Sequence, residues 1–250
     1  GGNGVPEGGT LRVLQKDGVA TAQTFDSTLV ASGASAVEAV NVGASSGNGL
    51  TLNLGAIARS NSGTLVVVLP EFGAIAAANN NVNGILGPWA TVGRGSDARY
   101  ATVVGGAVVA AVGTAAADAS QITDTTGTAN YDLAAGGALG PGVSLNTLRY
   151  TGAAAALSNN FSANGLLSAG SGTLDVAGGV TVGESRNLVV TATSAPLHVS
   201  GAVADNTGGS SSVTKSGGGI VLLSGESTYT GNTWASEGEL RVDGNISASG

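Results

Sequence analysis

The chain has 250 residues, of which 43 are Gly, with 42% apolar, 10% charged and 4% aromatic residues and a formal net charge of −7. Its nine Lys and Arg residues are scattered singly, which leaves no dense positive stripe to neutralise phosphates and excludes a nucleic-acid surface. Cys is absent, so disulfide staples and thiolate metal sites are ruled out, and evenly recurring Val, Leu and Ile argue against disorder and for short strands between glycine turns.

Taken in order, residues 1–13 end in G-G-T-L-R-V, and residues 238–242 read G-E-L-R-V. One element opens and closes the sequence, with Leu11 and Leu240 at equivalent positions. This predicts one module of a longer tandem array, whose units need neighbours to cover their open ends. Residues 22–49 alternate weakly, with Val37, Val40 and Val42 as strand candidates. Residues 50–54, L-T-L-N-L, form a period-two strand with Leu50, Leu52 and Leu54 on one face. Another strand is predicted over 64–69, before Pro70.

Residues 79–104 contain an Asn83-Gly84 turn that feeds a buried Ile85-Leu86 pair, with Trp89 and Tyr100 capping a local hydrophobic cluster. The most apolar run, 103–117, is too short and too broken by glycine to span a bilayer. It reads as one or two buried strands with a turn. No signal peptide is present, and the chain is expected to be cut from a larger protein. Residues 111–138 are rich in Ala, Thr and Asp, with Ile122 and Leu133 as isolated apolar anchors, and read as an irregular excursion. Alternation returns at 143–150. Strands are then predicted at 165–167, 172–176, 180–182, 187–191, 196–199, 212–214, 219–223 and 239–242.

This spacing fits about three short strands per coil of roughly 20–30 residues. The fold class is all-β, and the architecture a right-handed parallel β-helix (β-solenoid) with an excursion around 111–138. Val, Leu and Ile stack inward, and few aromatics are needed. Gly and Asn supply corners, with G-G-G at 217–219 and N-N-N at 79–81 read as sites of tight bends or positive φ. A sandwich would need hairpin turns and a recurring aromatic core residue, both of which are sparse.

Residues 214–242 read as strand, glycine turn, strand, with Ile220, Leu222, Gly225, Tyr229, Leu240 and Val242 at corners and inward positions. The stretch resembles the autotransporter-associated β-strand repeat through Lys215, Gly217, Gly219, Leu223, Ser224, Gly225, Thr228, Tyr229, Thr230, Gly231, Thr233, Gly238, Leu240 and Val242. Trp234 and Ala235 depart from it. A second block, Asn83 to Leu86, Gly87, Trp89 to Val92, Asp97 and Ala101, is similar to a segment of large passengers of that class. The resemblance implies the secreted passenger of a large bacterial surface protein, extracellular and attached to the outer membrane through a barrel outside this chain. It implies one module over 1–250: 1–13 ending a preceding repeat, 14–213 as coils with an insertion, and 214–250 as the associated repeat. It also gives a reason for the missing Cys, since such passengers cross the outer membrane largely unfolded.

Chemistry is thinly represented. His198, the only histidine, reads as an outward strand residue. No nucleophile-elbow motif appears, although the members of a Ser-His-Asp triad can lie far apart in sequence. Asp175, Glu184 and Asp205, with Arg186 as a basic member, are the one acidic group that neighbouring coils of a polysaccharide-cleaving β-helix would gather. Asp118, Asp124 and Asp132 flank the excursion without a calcium-loop pattern. G-R-G-S-D-A at 93–98 lacks the third glycine and the helix of a dinucleotide loop. Asn160 and Asn245 begin sequons by letter only. No catalytic, cofactor or metal residue is assigned, and no cofactor is expected.

The expected function is a non-enzymatic structural module of a surface fibre, stalk or lattice, acting by self-stacking and lateral assembly. The alternative is an adhesin in which Trp89, Tyr100 or Trp234 and the 111–138 excursion form a carbohydrate platform. A polysaccharide-cleaving enzyme is third. Expected partners are copies of itself, adjacent modules of the same chain and surface glycans, with no nucleic acid and no membrane contact.

Overall fold

The computed structural model describes residues 8–42 and 48–246. The protein is all-β and divides into two compact units, Gly1–Arg94 with Ala98–Ala111, and Gly95–Asp97 with Val112–Gly250.

The first unit contains β1 (Thr10–Leu14), β2 (Thr21–Thr24), β3 (Ser27–Val30), β4 (Ala34–Val40), β5 (Leu50–Asn53), β6 (Ala56–Arg59), β7 (Thr64–Val68), β8 (Gly73–Ala76), β9 (Ala90–Val92), β10 (Arg99–Val104) and β11 (Ala107–Ala110). Three strands recur per circuit. β4 lies parallel on β1 and β7 on β4, β5 lies on β2 and β8 on β5, and β6 lies on β3. Period-two alternation turns Leu50, Leu52 and Leu54 inward, where all three are fully buried with Val30, Ile57, Val67 and Ile75.

Parallel stacking stops at β9. From there β10 pairs antiparallel with β9, β11 with β10, and β11 with β8. One sheet therefore curls from the β7 wall round to the β8 wall and closes that end of the stack. The β10–β11 turn is Gly105-Gly106, both left-handed (φ 57° and 83°), which matches the twist a two-residue hairpin needs. The apolar run at 103–117 thus supplies a hairpin arm and the start of the next stack. It is only partly buried, since Val104 and Val112 face solvent.

Asn79 and Asn81 are not positive-φ corners. Asn79 accepts the Ile57 N–H and donates to the Ile57 carbonyl, each at 2.7 Å. Asn81 does the same to Val103, each at 2.9 Å. Each side-chain amide replaces a peptide unit beyond a strand end and satisfies backbone groups that would otherwise lack a partner. Within 79–86 the left-handed residues are Asn83 and Gly84.

The second unit contains β12 (Thr114–Ala116), β13 (Asn130–Leu133), β14 (Gly137–Ala138), β15 (Ser144–Tyr150), β16 (Ala155–Ser158), β17 (Phe161–Ser168), β18 (Leu174–Val176), β19 (Val180–Val182), β20 (Asn187–Ala192), β21 (Leu197–Val199), β22 (Val203–Ala204), β23 (Ser212–Ser216), β24 (Ile220–Leu223), β25 (Thr233–Ala235) and β26 (Glu239–Val242). Its parallel walls run β12-β13-β15-β17-β20-β23-β25 and β14-β16-β18-β21-β24-β26, with β19 stacked on β17 and β22 on β19. Residues 111–138 are therefore not an excursion. β12 and β13 stack in register on β15, with Thr114, Tyr131 and Leu148 in one column, and Ile122 and Leu133 are fully buried in the shared core. The turns between them are made locally, by Asp118 accepting from Ser120 and Asp124 from Thr126.

The phase of β24 also differs from expectation. Val221 and Leu223 point inward, above Leu197 and Val199 and below Leu240 and Val242, while Ile220 and Leu222 lie outward. Gly225 and Tyr229 sit as expected, at a tight corner and fully buried.

Asn130, Asn146 and Asn164 stack as a ladder at one corner. Asn146 donates to Asn130 at 2.8 Å, Asn164 donates to Asn146 at 3.1 Å, and Asn164 accepts the Ser185 N–H at 2.9 Å. Asn164→Ala removes a donor and an acceptor from a buried site. It is expected to lower the stability of this unit by about 2 kcal/mol, read as a shift of the urea midpoint. Trp234 fluorescence in a Trp89→Phe background reports this unit alone, because Trp89 belongs to the other.

Candidate functional site

The sequences L-D-V, L-H-V and V-L-L of β18, β21 and β24 have buried apolar residues at both ends and an outward residue between them. Parallel register then fixes the outer row. Asp175 stands beside His198, and His198 beside Leu222, with Arg241 next along. Two residues further on, the same parity turns Ser200 and Ser224 to the same face.

These side chains join into one network. The His198 Nε2 lies 2.7 Å from the Ser224 Oγ, and the His198 Nδ1 lies 3.4 Å from the Asp175 Oδ1. Ser200 donates from its hydroxyl to the Asp175 Oδ1 at 2.7 Å. A carboxylate at Nδ1 favours the tautomer that carries its proton there, which leaves the Nε2 lone pair to accept from Ser224. The side chains of His198 and Asp175 are 28% and 33% exposed, so solvent reaches both.

Asp175, Glu184, Asp205 and Arg186 are not gathered. Asp205 accepts from the Ser211 N–H, the Thr230 N–H and the Thr230 hydroxyl. Burial opposes its charge, yet the bonds from Thr230 and Ser211 prevail and hold the carboxyl below the usual range. Glu184 is exposed at a turn, and Arg186 holds a left-handed φ of 51°. Asp118 caps a short 3-10 turn at Ala119–Gln121, and Asp132 faces Arg149 at 3.8 Å. Among the described residues, no group of three or more His, Asp or Glu is arranged to hold a metal ion. Residues 93–98 connect β9 to β10 through a 3-10 turn at Gly95–Asp97, with no helix after them. The Asn245 sequon ends at Ser247, outside the described residues.

The aromatic candidates separate. Tyr100 is buried and is not available to a platform. Trp89, half-buried in the first unit, carries the Arg59 guanidinium 6.0 Å from its ring centroid. Trp234, half-buried on β25 of the second unit, registers with Thr214. Sequence reasoning missed Ser200 and Ser224. The recurring signal was an outward Ser one residue past the inward end of the strand, in L-H-V-S and V-L-L-S.

Lys215 is the second unusual group. It projects into the core between Val190 and Ala235 in register, is fully buried, and donates to the carbonyls of Gly217 and Glu237. Burial pulls its ammonium down to about 8, with the Glu237 charge opposing.

No family model matches the chain, and no solved structure matches it. Over 261 aligned residues, 94% of the chain is similar, at 33% identity, to the adhesin BmaC autotransporter of Brucella suis biovar 1 (strain 1330). The chain spans 7% of that relative's length. The chain is thus related to autotransporter surface proteins and is located at the cell surface, attached to the outer membrane. Among the described residues, no helix is long and apolar enough to cross a membrane.

Proposed function

We propose that the chain is a non-enzymatic, adhesin-like module of an autotransporter passenger, built as a right-handed parallel β-helix and holding a binding surface away from the cell. The observation that carries this reading is similarity to an autotransporter adhesin along 94% of the chain. Stacked parallel strands support it, because each rung hydrogen-bonds to the next and repetition extends the surface without a new core design. The module boundaries of the sequence analysis belong to the same proposal, with 214–250 as the associated repeat. Lys215 inside the Gly217–Glu237 turn, the close-packed Gly225 and the buried Tyr229 give the motif positions physical roles.

The test is display of the chain on a non-adherent bacterium, scored for attachment to glycan-coated and host-cell surfaces. Attachment should rise several-fold and be competed by soluble chain. Display without any gain in attachment on either surface would sink the adhesive reading. Trp234→Ala is expected to reduce attachment to glycan, since stacking on an aromatic face contributes strongly to sugar recognition, while leaving stability, read by circular dichroism in urea, within about 0.5 kcal/mol of the parent.

A second reading is lateral assembly with copies of itself. It is favoured by the column of small outward residues Ser144, Ser162, Thr181 and Ala204, which permits close approach of a neighbouring molecule. Concentration-dependent sedimentation of the purified chain distinguishes it, because a purely adhesive module stays monomeric.

A further inference from the structure

The network on the outer face of β18, β21 and β24 has the connectivity of a nucleophile, a base and an orienting carboxylate. Oγ of Ser224 meets Nε2 of His198, and Nδ1 of the same ring faces Asp175. We infer that Ser224 is a base-activated nucleophile that accepts an acyl group from carboxylic esters at this open face, a chemical capacity beyond the adhesive reading. The three residues come from consecutive rungs, with Asp175 the register partner of His198 and Ser224 26 residues beyond His198. Rigid strands hold them, with Leu174, Val176, Leu197, Val199, Val221 and Leu223 locked in the core behind.

The chemistry balances without a co-reactant. The Ser224 oxygen adds to the ester carbonyl as its proton passes to the His198 Nε2, and the C–O bond to the alcohol then breaks as that proton passes to the departing oxygen. The product is an acyl-serine and a free alcohol. Asp175 touches no reacting atom. It is a positioning residue that fixes the imidazole tautomer, and Ser200 in turn holds the carboxylate. The alcohol side is unconstrained by the fold, so an O-acyl group on a surface glycan and a simple small ester present the same chemistry to Ser224.

The experiment is incubation of the purified chain with p-nitrophenyl acetate, followed by peptide mapping. One acetyl group is expected on Ser224. His198→Gln should slow acetylation there by on the order of 100-fold. Asp175→Asn should slow it by about 10-fold or more, and Asp175→Glu, which keeps the carboxylate, should recover part of the rate. That recovery separates tautomer control from packing. Ser162→Ala, on another outward column, should leave the Ser224 rate unchanged. Trp234 fluorescence checks that each variant is folded. Acetylation confined to lysines, or Ser224 acetylated as fast in His198→Gln as in the parent, would overturn the inference. Either result leaves the adhesion assay untouched, so the two proposals fail separately.

Discussion

Gly225→Ala is expected to destabilise the second unit by about 3 kcal/mol or more. The cause is space. A Cβ at Gly225 would lie 2.2 Å from the Gly201 carbonyl oxygen and 2.5 Å from its carbon. The same collision recurs along one corner. A Cβ on Gly178 would meet the Asn159 oxygen at 1.8 Å, one on Gly201 the Gly178 oxygen at 2.0 Å, and one on Gly244 the Gly225 oxygen at 2.4 Å. None of these glycines has a left-handed φ, so alanine's own backbone preference is not at issue. The obstacle in each case is the backbone of the preceding rung, which cannot swing aside as a side chain can. Gly142 provides the contrast. Its φ is +69° and nothing lies within 4 Å of an added Cβ, so Gly142→Ala should cost only about 1 kcal/mol from the left-handed conformation. Urea midpoints read by Trp234 fluorescence compare the two. Equal effects would show that rung spacing at this corner is not steric.

Strands with strict alternation were readable from sequence. L-T-L-N-L at 50–54, V-T-V at 180–182 and E-L-R-V at 239–242 each became a strand, because period two leaves one face apolar. Where alternation fails, phase is lost. I-V-L-L at 220–223 is apolar at every position, and only its register with Leu197 and Val199 decides which two residues turn inward. The parallel-to-antiparallel change at β9 was equally hidden. Arg99–Val104 has the same composition whichever way its partner runs, and partner choice depends on residues distant in sequence. In 111–138, Ala and Thr diluted the apolar signal of strands that pair through only three or four residues.

The site was legible in its members but not in its assembly. Asp175 and His198 each stood out as ionisable residues in a chain with few of them. Their adjacency depends on rung length, and rungs here differ in the number of residues they contain. The acidic group of Asp175, Glu184 and Asp205 failed for that reason. Asp205 lies on the next rung at a corner and is held by Thr230, whereas Asp175 lies mid-strand on a flat face. Ser224 stood out only as a position of the repeat motif and Ser200 not at all, because Ser is common throughout and only strand parity distinguishes an outward Ser beside the histidine.

Lys215 gives a second large and pH-dependent effect. Lys215→Ala is expected to lower the stability of the second unit by about 3 kcal/mol near neutral pH. It opens a hole in the core between Val190 and Ala235 and leaves the carbonyls of Gly217 and Glu237 without their donor. The pH dependence has a definite sign. The folded ammonium titrates at about 8, against 10.5 for the free side chain, because burial penalises its charge. Between those values the unfolded chain binds a proton that the folded chain has released, so stability rises with pH across that window. The penalty is fully present below about pH 8 and fades toward pH 10.5. From about pH 7.5 to about pH 9.5 the parent should gain about 2 kcal/mol from this group. Burial raises the Tyr150 and Tyr229 hydroxyls, so their linkage runs the opposite way and lowers stability as pH rises, but parent and Lys215→Met share both tyrosines and the difference between them cancels it. Lys215→Met keeps an unbranched chain in the core but cannot titrate, so its stability should stay nearly flat over the same range. The quantity to compare is the difference in urea stability between parent and Lys215→Met at each pH. A difference that does not change with pH would mean that the ammonium keeps its proton in the folded core, and that the two carbonyls offset its burial completely.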